Sequence, residues 1–144
     1  MAMTAQVDYD TVPVGMQLAP REFQLLAVNE IMYCGATLDF AGVHWNPRVA
    51  RSVGMDHIVA HGPLTEAKAL SLIHEWTGDP GTVVAQHARF HRPVLIPDDG
   101  EGARYRIHGT VTEKLADRRV VVELTAVSPQ EEELVTVRAV VQLV

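Results

Sequence analysis

The sequence predicts an α+β fold in which a five-stranded antiparallel sheet wraps around one long buried helix. Three observations carry this. The apolar period is that of a helix between Pro63 and about Trp76, and it changes to 2 beyond Thr82. Four β-branched segments follow that change, and one short strand-like stretch precedes the helical section.

Taken in order, residues 1 to about 12 read as a loose end, and Leu18 to Leu25 form the first strand. Ala27 to Thr37 favour a helix with Val28, Ile31, Met32 and Tyr33 as its expected buried side. A loop from Asp39 to His44 follows. "NPRVARSVG" then makes a short helix, with Asn46 as cap, Pro47 in the first turn and Gly54 as the stop. "MDHIVAHG" reads as a connector. In the long helix, Ala69, Leu70, Leu72, Ile73 and Trp76 cover a broad apolar face opposite a narrow stripe of Lys68, Ser71 and Glu75. "TGDPG" ends it.

The strands are "TVVAQHARF", "RYRIHGTV", "RVVVELTAV" and "LVTVRAVVQLV". In the second, Tyr105, Ile107 and Val111 alternate with Arg104, Arg106 and His108. "LADRR" joins two strands as a hairpin and "SPQEEE" joins the last two. One strand, a helical section and four antiparallel strands make the hotdog layout. The whole of 1–144 reads as a single domain, with no repeat or linker.

Composition excludes several functions. The 144 residues are 47% hydrophobic and 21% charged, with a net charge of −6 and no basic run, unlike a nucleic-acid surface. No apolar run is long enough to span a membrane, and "MAMTAQVDYD" lacks signal-peptide character. The single cysteine, Cys34, lies in an apolar run and is expected as buried filler, so a reducing, cytoplasmic setting is the expectation.

The chemistry-bearing stretch is "LDFAGVHWNPRVA". It places Asp39 and His44 in one otherwise nearly apolar loop, an arrangement suited to proton transfer near neutral pH. In "AHGPLT", Gly62 precedes Pro63 at the start of the long helix. Its N–H is either an oxyanion donor or merely part of a turn that needs glycine. Phe40 and Trp45 flank the pair as pocket walls or as core. His57 and His61, four apart with only Asp56 beside them, do not make a metal site, and there is no serine elbow or phosphate loop. His74, His87, His91 and His108 read as structural or solvated.

At these residues the chain resembles the MaoC-like dehydratases, which include the (R)-specific enoyl-CoA hydratases. "YCGATLDFAGVHWNPRVA" aligns Asp39, Val43, His44 and Ala50 with the family signature. "IVAHGPLT" and "ARFHRPVLIPDDG" resemble two further family segments. The overall length and the "HW…VGMD…AHG…GDPG" run look most like the (3R)-hydroxyacyl-ACP dehydratase subunits of mycobacterial type. The departures are Leu38, Ala41 and Gly42 where the family has Gly, Asn and Pro, and Leu70 where some members have a serine.

The resemblance implies reversible dehydration of (3R)-hydroxyacyl thioesters carried on CoA or acyl carrier protein, as in fatty-acid or polyketide-type metabolism. Asp39 and His44 would be the catalytic pair, Gly62 the oxyanion donor, and Phe40, Trp45 and His61 pocket walls. It implies no metal or organic cofactor, and a homodimer or a heterodimer with another hotdog subunit. Arg89, Arg92, Arg104 and Arg106 either meet the carrier or solvate the sheet. Two alternatives stand beside this one: a non-catalytic hotdog subunit that supports a catalytic partner, and a hotdog thioesterase.

Overall fold

A computed structural model describes residues 7–144. Its elements are β1 (Gln17–Leu25), α1 (Ala27–Thr37), α2 (Pro47–Ser52), β2 (Ile58–Val59), α3 (Gly62–Thr77), β3 (Val83–Phe90), β4 (Leu95–Ile96), β5 (Ala103–Leu115), β6 (Arg119–Val127) and β7 (Glu133–Gln142). The main sheet has the order β1-β5-β6-β7-β3, with every pair antiparallel. Its concave face holds α3, which buries Ala69, Leu70, Leu72 and Ile73 against it. Full burial of each larger aliphatic side chain stabilises by roughly 1.5–3 kcal/mol, so this face anchors the fold.

Local sequence explains the element ends. β5 buries Ala103, Tyr105, Ile107, Gly109 and Val111 and exposes Arg104 and Arg106, the period-2 pattern of a sheet with one wet face. The turn to β6 places Asp117 and Arg118 at φ 57° and 56°, as a tight hairpin between right-twisted strands requires. α3 stops at Gly78, where φ is 74° and the N–H donates to the His74 carbonyl.

Three features differ from the sequence expectations. Residues 7–12, expected to be loose, are tied down. The Tyr9 N–H donates to the Val144 carbonyl at 3.0 Å, the Tyr9 hydroxyl donates to the Leu115 carbonyl at 3.0 Å, and Val12 is buried. Residues 1–6 of that expected loose end lie outside the described residues.

The second difference is the rotation of α1. Val28, Ile31 and Met32 face outward, with Met32 68% exposed, whereas Glu30 and Cys34 are fully buried and Tyr33 half-buried. Glu30 and Cys34 are one helical turn apart and share a face. The inward carboxylate finds donors inside, which an amphipathic reading of hydropathy alone does not anticipate. Third, the "MDHIVAHG" connector contains β2, which pairs with β4 in a two-stranded ribbon: Ile58 opposite Ile96 and Val59 opposite Leu95.

Candidate active site

The loop between α1 and α2 is built by its own hydrogen bonds. α1 ends at Leu38, in the left-handed conformation (φ 62°), whose N–H donates to the Cys34 carbonyl at 2.8 Å. The chain then reverses through Asp39, whose Oδ1 accepts the Ala41 N–H at 3.2 Å. Gly42–His44 forms a single 3-10 turn, and the Asn46 N–H donates back to the Gly42 carbonyl at 2.8 Å. A Cβ on Gly42 would stand 3.1 Å from Val49 Cγ1, so the small residue lets α2 close on the turn. Asn46 Oδ1 caps α2 by accepting from Arg48 N–H at 3.0 Å and Val49 N–H at 3.4 Å. Trp45 Nε1–H donates to the Phe40 carbonyl at 3.0 Å and braces the loop across its width.

Two histidines meet beneath this loop. His44 Nδ1 lies 2.7 Å from the Val59 carbonyl of β2. A carbonyl only accepts, so Nδ1 carries the proton and, in the neutral ring, Nε2 keeps its lone pair. The His44 ring stacks on that of His61, with centroids 3.7 Å apart and planes at 22°. His61 is buried (2% exposed). Its Nδ1 lies 2.6 Å from Glu30 Oε2, which also accepts the His61 backbone N–H at 3.0 Å. Its Nε2 lies 3.3 Å from the Asp39 carbonyl and 3.7 Å from Asp39 Oδ2. The Asp39 carboxylate itself is more than half exposed. Tyr33 also packs on this ring, its centroid 4.7 Å from that of His61 and its plane tilted by 50°.

His44 and Gly62 line one cavity of about 380 Å³, together with Thr65, Phe90, Arg92 and Leu134. Gly62 is the first residue of α3. A first-turn N–H has no acceptor within its helix and carries the positive end of the dipole. A Cβ here would lie 3.0 Å from Phe90 Cε1, so glycine lets the ring of β3 approach the helix end. A larger groove of about 520 Å³ lies over Glu22, Arg104, Arg106 and Glu131. Within it Arg106 pairs with Glu131 at 2.9 Å, and none of the acid–base candidates lines it.

Charge and burial also act on the residues around Glu30. Burial pushes the Cys34 thiol up, and the negative charges of Glu30 and Asp39 add to this. The Tyr105 phenol is pushed up by burial first and by Glu30 second, with the Thr65 hydroxyl opposing. Glu30, His44 and His61 each bring a ligand-type atom within 4.8 Å of the others. That set does not converge on an ion, because stacked imidazoles direct their in-plane lone pairs side by side and both Nδ1 atoms already have partners.

Of the residues singled out in the sequence, Asp39 and His44 each contact His61, and Gly62 shares the His44 cavity, whose lining does not include Asp39. His61 lies behind His44 rather than on the cavity wall. Phe40 is outside the lining, and Trp45 faces a different cleft with Arg51, His57 and Asp98. His91, read as structural or solvated, lines the cavity and reaches Thr136 Oγ1 at 2.9 Å. Arg92 lines it too, whereas Arg104 pairs with Glu101 at 2.7 Å. Glu30 escaped the sequence reading altogether. Its spacing of four from Cys34, the one α1 residue expected to be buried on composition alone, was the available signal.

The profile of the MaoC-like domain matches residues 11–128. The chain belongs to the MaoC-like dehydratase family. Among solved structures, a MaoC-like dehydratase superposes with a TM-score of 0.91 at 24% identity, covering 99% of this chain and 44% of that one. This chain thus spans less than half the length of that relative. The R-hydratase PhaJ1 from Pseudomonas aeruginosa gives 0.81 at 22% identity, covering 99% and 87%. The C-terminally truncated HadBC (3R)-hydroxyacyl-ACP dehydratase complex from Mycobacterium tuberculosis gives 0.73 at 19%, covering 90% and 97%. At these identities the MaoC-like relatives share the hotdog fold. A search of curated protein sequences found no match. Among the described residues of this MaoC-like protein, no helix is long and apolar enough to cross a membrane.

Proposed function

We propose that this MaoC-like protein adds water reversibly across C2–C3 of trans-2-enoyl thioesters to give (3R)-hydroxyacyl thioesters. The observation that carries the reading is His44. Its Nδ1–H is fixed by the Val59 carbonyl, and the ring lines the same cavity as the first N–H of α3. A neutral imidazole so anchored presents Nε2 as a proton acceptor, and the Asp39 carboxylate, 3.7 Å from Nε2 of the His61 ring stacked on it, would orient water.

In the hydration direction the water oxygen bonds to C3 and one water proton passes to His44 Nε2. The C2–C3 π electrons move toward the thioester oxygen, where the Gly62 N–H stabilises the enolate. The proton on His44 then returns to C2, so the net change is addition of one water. The apolar side chains of Phe90, Val94, Leu134 and Val135 suit the acyl chain, and Arg92 at the same cavity suits a phosphate-bearing carrier.

We also infer that a second hotdog subunit pairs along β3. That strand is the sheet's last, and Val84 and Phe90 are half-exposed on it. An unpaired edge invites a partner. The solved HadBC structure, a complex of this fold, is consistent with a second subunit beside this one. Another copy of this chain would equally supply the edge.

The deciding experiment follows loss of enoyl absorbance when purified protein meets trans-2-enoyl-CoA of short and long chain. Turnover to the (3R) alcohol is expected, with Asp39→Asn and His44→Ala each lowering kcat at least about 100-fold. A folded variant of either kind that retained most of the activity would sink the mechanism. Inactivity at every chain length, alone and with a hotdog partner, would favour the non-catalytic subunit instead. Release of free thiol would indicate a thioesterase.

A further inference from the structure

We propose that Glu30 is a positioning residue of this site: it holds His61 as a donor on both ring nitrogens, so that His61 presents an N–H to Asp39. The inference rests on the hydratase reading for its kinetic consequence, but not for its geometry.

Glu30 is fully buried on a helix face otherwise occupied by Cys34. A carboxylate in such a place costs several kcal/mol unless it is matched by donors, and an apolar side chain of similar volume is often the more stable choice. Stability therefore does not account for it. Both donors that reach Glu30 Oε2 come from His61, the backbone N–H at 3.0 Å and Nδ1 at 2.6 Å. Backbone and ring of one residue are thus fixed by one carboxylate oxygen. The other oxygen, Oε1, is buried with no hydrogen-bond partner among the described residues.

The far side of the ring completes the argument. A carboxylate accepts only, so Nδ1 of His61 bears a proton. Nε2 faces the Asp39 carbonyl at 3.3 Å and Asp39 Oδ2 at 3.7 Å, and both are acceptors. A lone pair there would confront two others, whereas an N–H satisfies the geometry. With a proton on each nitrogen, His61 is a cation between two carboxylates, one buried and one more than half exposed. Its ring also forms the floor under His44. The His44 anchor, Val59, lies two residues before His61 on the same segment. Glu30 thereby sets the height of the floor on which both acid–base candidates rest, without touching the cavity itself.

The groups facing this ring are Glu30 and Tyr33 from α1, Asp39 and His44 from the loop. The test uses the intact protein with ¹⁵N-labelled histidine. At neutral pH one histidine is expected to show both ring nitrogens protonated and a far-downfield Nδ1–H from the 2.6 Å bond. In Glu30→Gln that signature is expected to vanish. A wild-type spectrum with every histidine singly protonated at neutral pH would overturn the proposal, and needs no variant. Kinetically, Glu30→Gln is expected to lower kcat roughly 100-fold, the cost of a displaced catalytic group. KM should change less than about twofold, because His61 and Glu30 do not line the cavity. A folded Glu30→Gln with wild-type kcat would also overturn it. Wild-type protein inert toward enoyl thioesters would instead remove the hydratase reading, leaving the His61 spectrum to decide the geometry.

Discussion

Replacing Leu38 by glycine is expected to make this protein more stable, although it deletes a large aliphatic side chain. Leu38 sits at φ 62° and ψ 18°, in the left-handed region, immediately before Asp39. For a residue with a Cβ that conformation costs roughly 1–2 kcal/mol. Glycine removes the cost but adds freedom to the unfolded chain, which takes back about 0.4–1 kcal/mol. The side chain is 80% exposed, so almost no burial is lost. The net gain is then about 0.5–1 kcal/mol, or a rise in Tm of roughly 1–4 °C for a chain of this size. Leu38→Ala is the comparator: it keeps the Cβ and the strain, and should match wild type. Urea unfolding at 25 °C reads the difference as a higher midpoint at unchanged m. Leu38→Gly no more stable than Leu38→Ala would refute the reasoning that the loop is strained at this point.

Two further outcomes follow from the same region. Asn46→Ala removes a side chain that caps two N–H groups of α2, and should cost about 1 kcal/mol in the same urea assay. Because α2 closes on the Gly42 turn, the loss should also lower any activity that depends on His44. As pH rises, stability should begin to fall near the unfolded thiol's value, about 8.5, and fall further near the unfolded phenol's, about 10. Both Cys34 and Tyr105 are raised in the folded state, so the unfolded chain loses those protons first and alkali favours it. Cys34→Ala should abolish the earlier phase of that decline and leave the later one.

Much of the architecture was readable because each element carries its own signal. The bounds of α1, the Asn46–Pro47 start of α2, and the alternation through Tyr105, Ile107 and Val111 are all local. What was not readable depends on partners distant in the chain. The inward turn of Glu30 makes sense only once His61, thirty-one residues on, supplies two donors. The β2–β4 ribbon is two residues long, too short for any periodicity to register, and its partner is separated from it by α3 and β3. For the candidate site, spacing brought Asp39 and His44 forward together. It could not show that His61 lies between Asp39 and Glu30, or that Phe40 and Trp45 brace the loop rather than wall the cavity.

That two-residue ribbon has a consequence for how the protein would fail. The proton on His44 Nδ1 is held by the Val59 carbonyl, and Val59 is secured by one of only two residue pairs between β2 and β4. So small a ribbon opens far more readily than the five-stranded sheet behind it. When it opens, the imidazole is free to exchange tautomers and rotate while the core around α3 stays intact. Loss of the anchored His44 tautomer and loss of the fold are therefore separate events, and the first belongs to the ribbon.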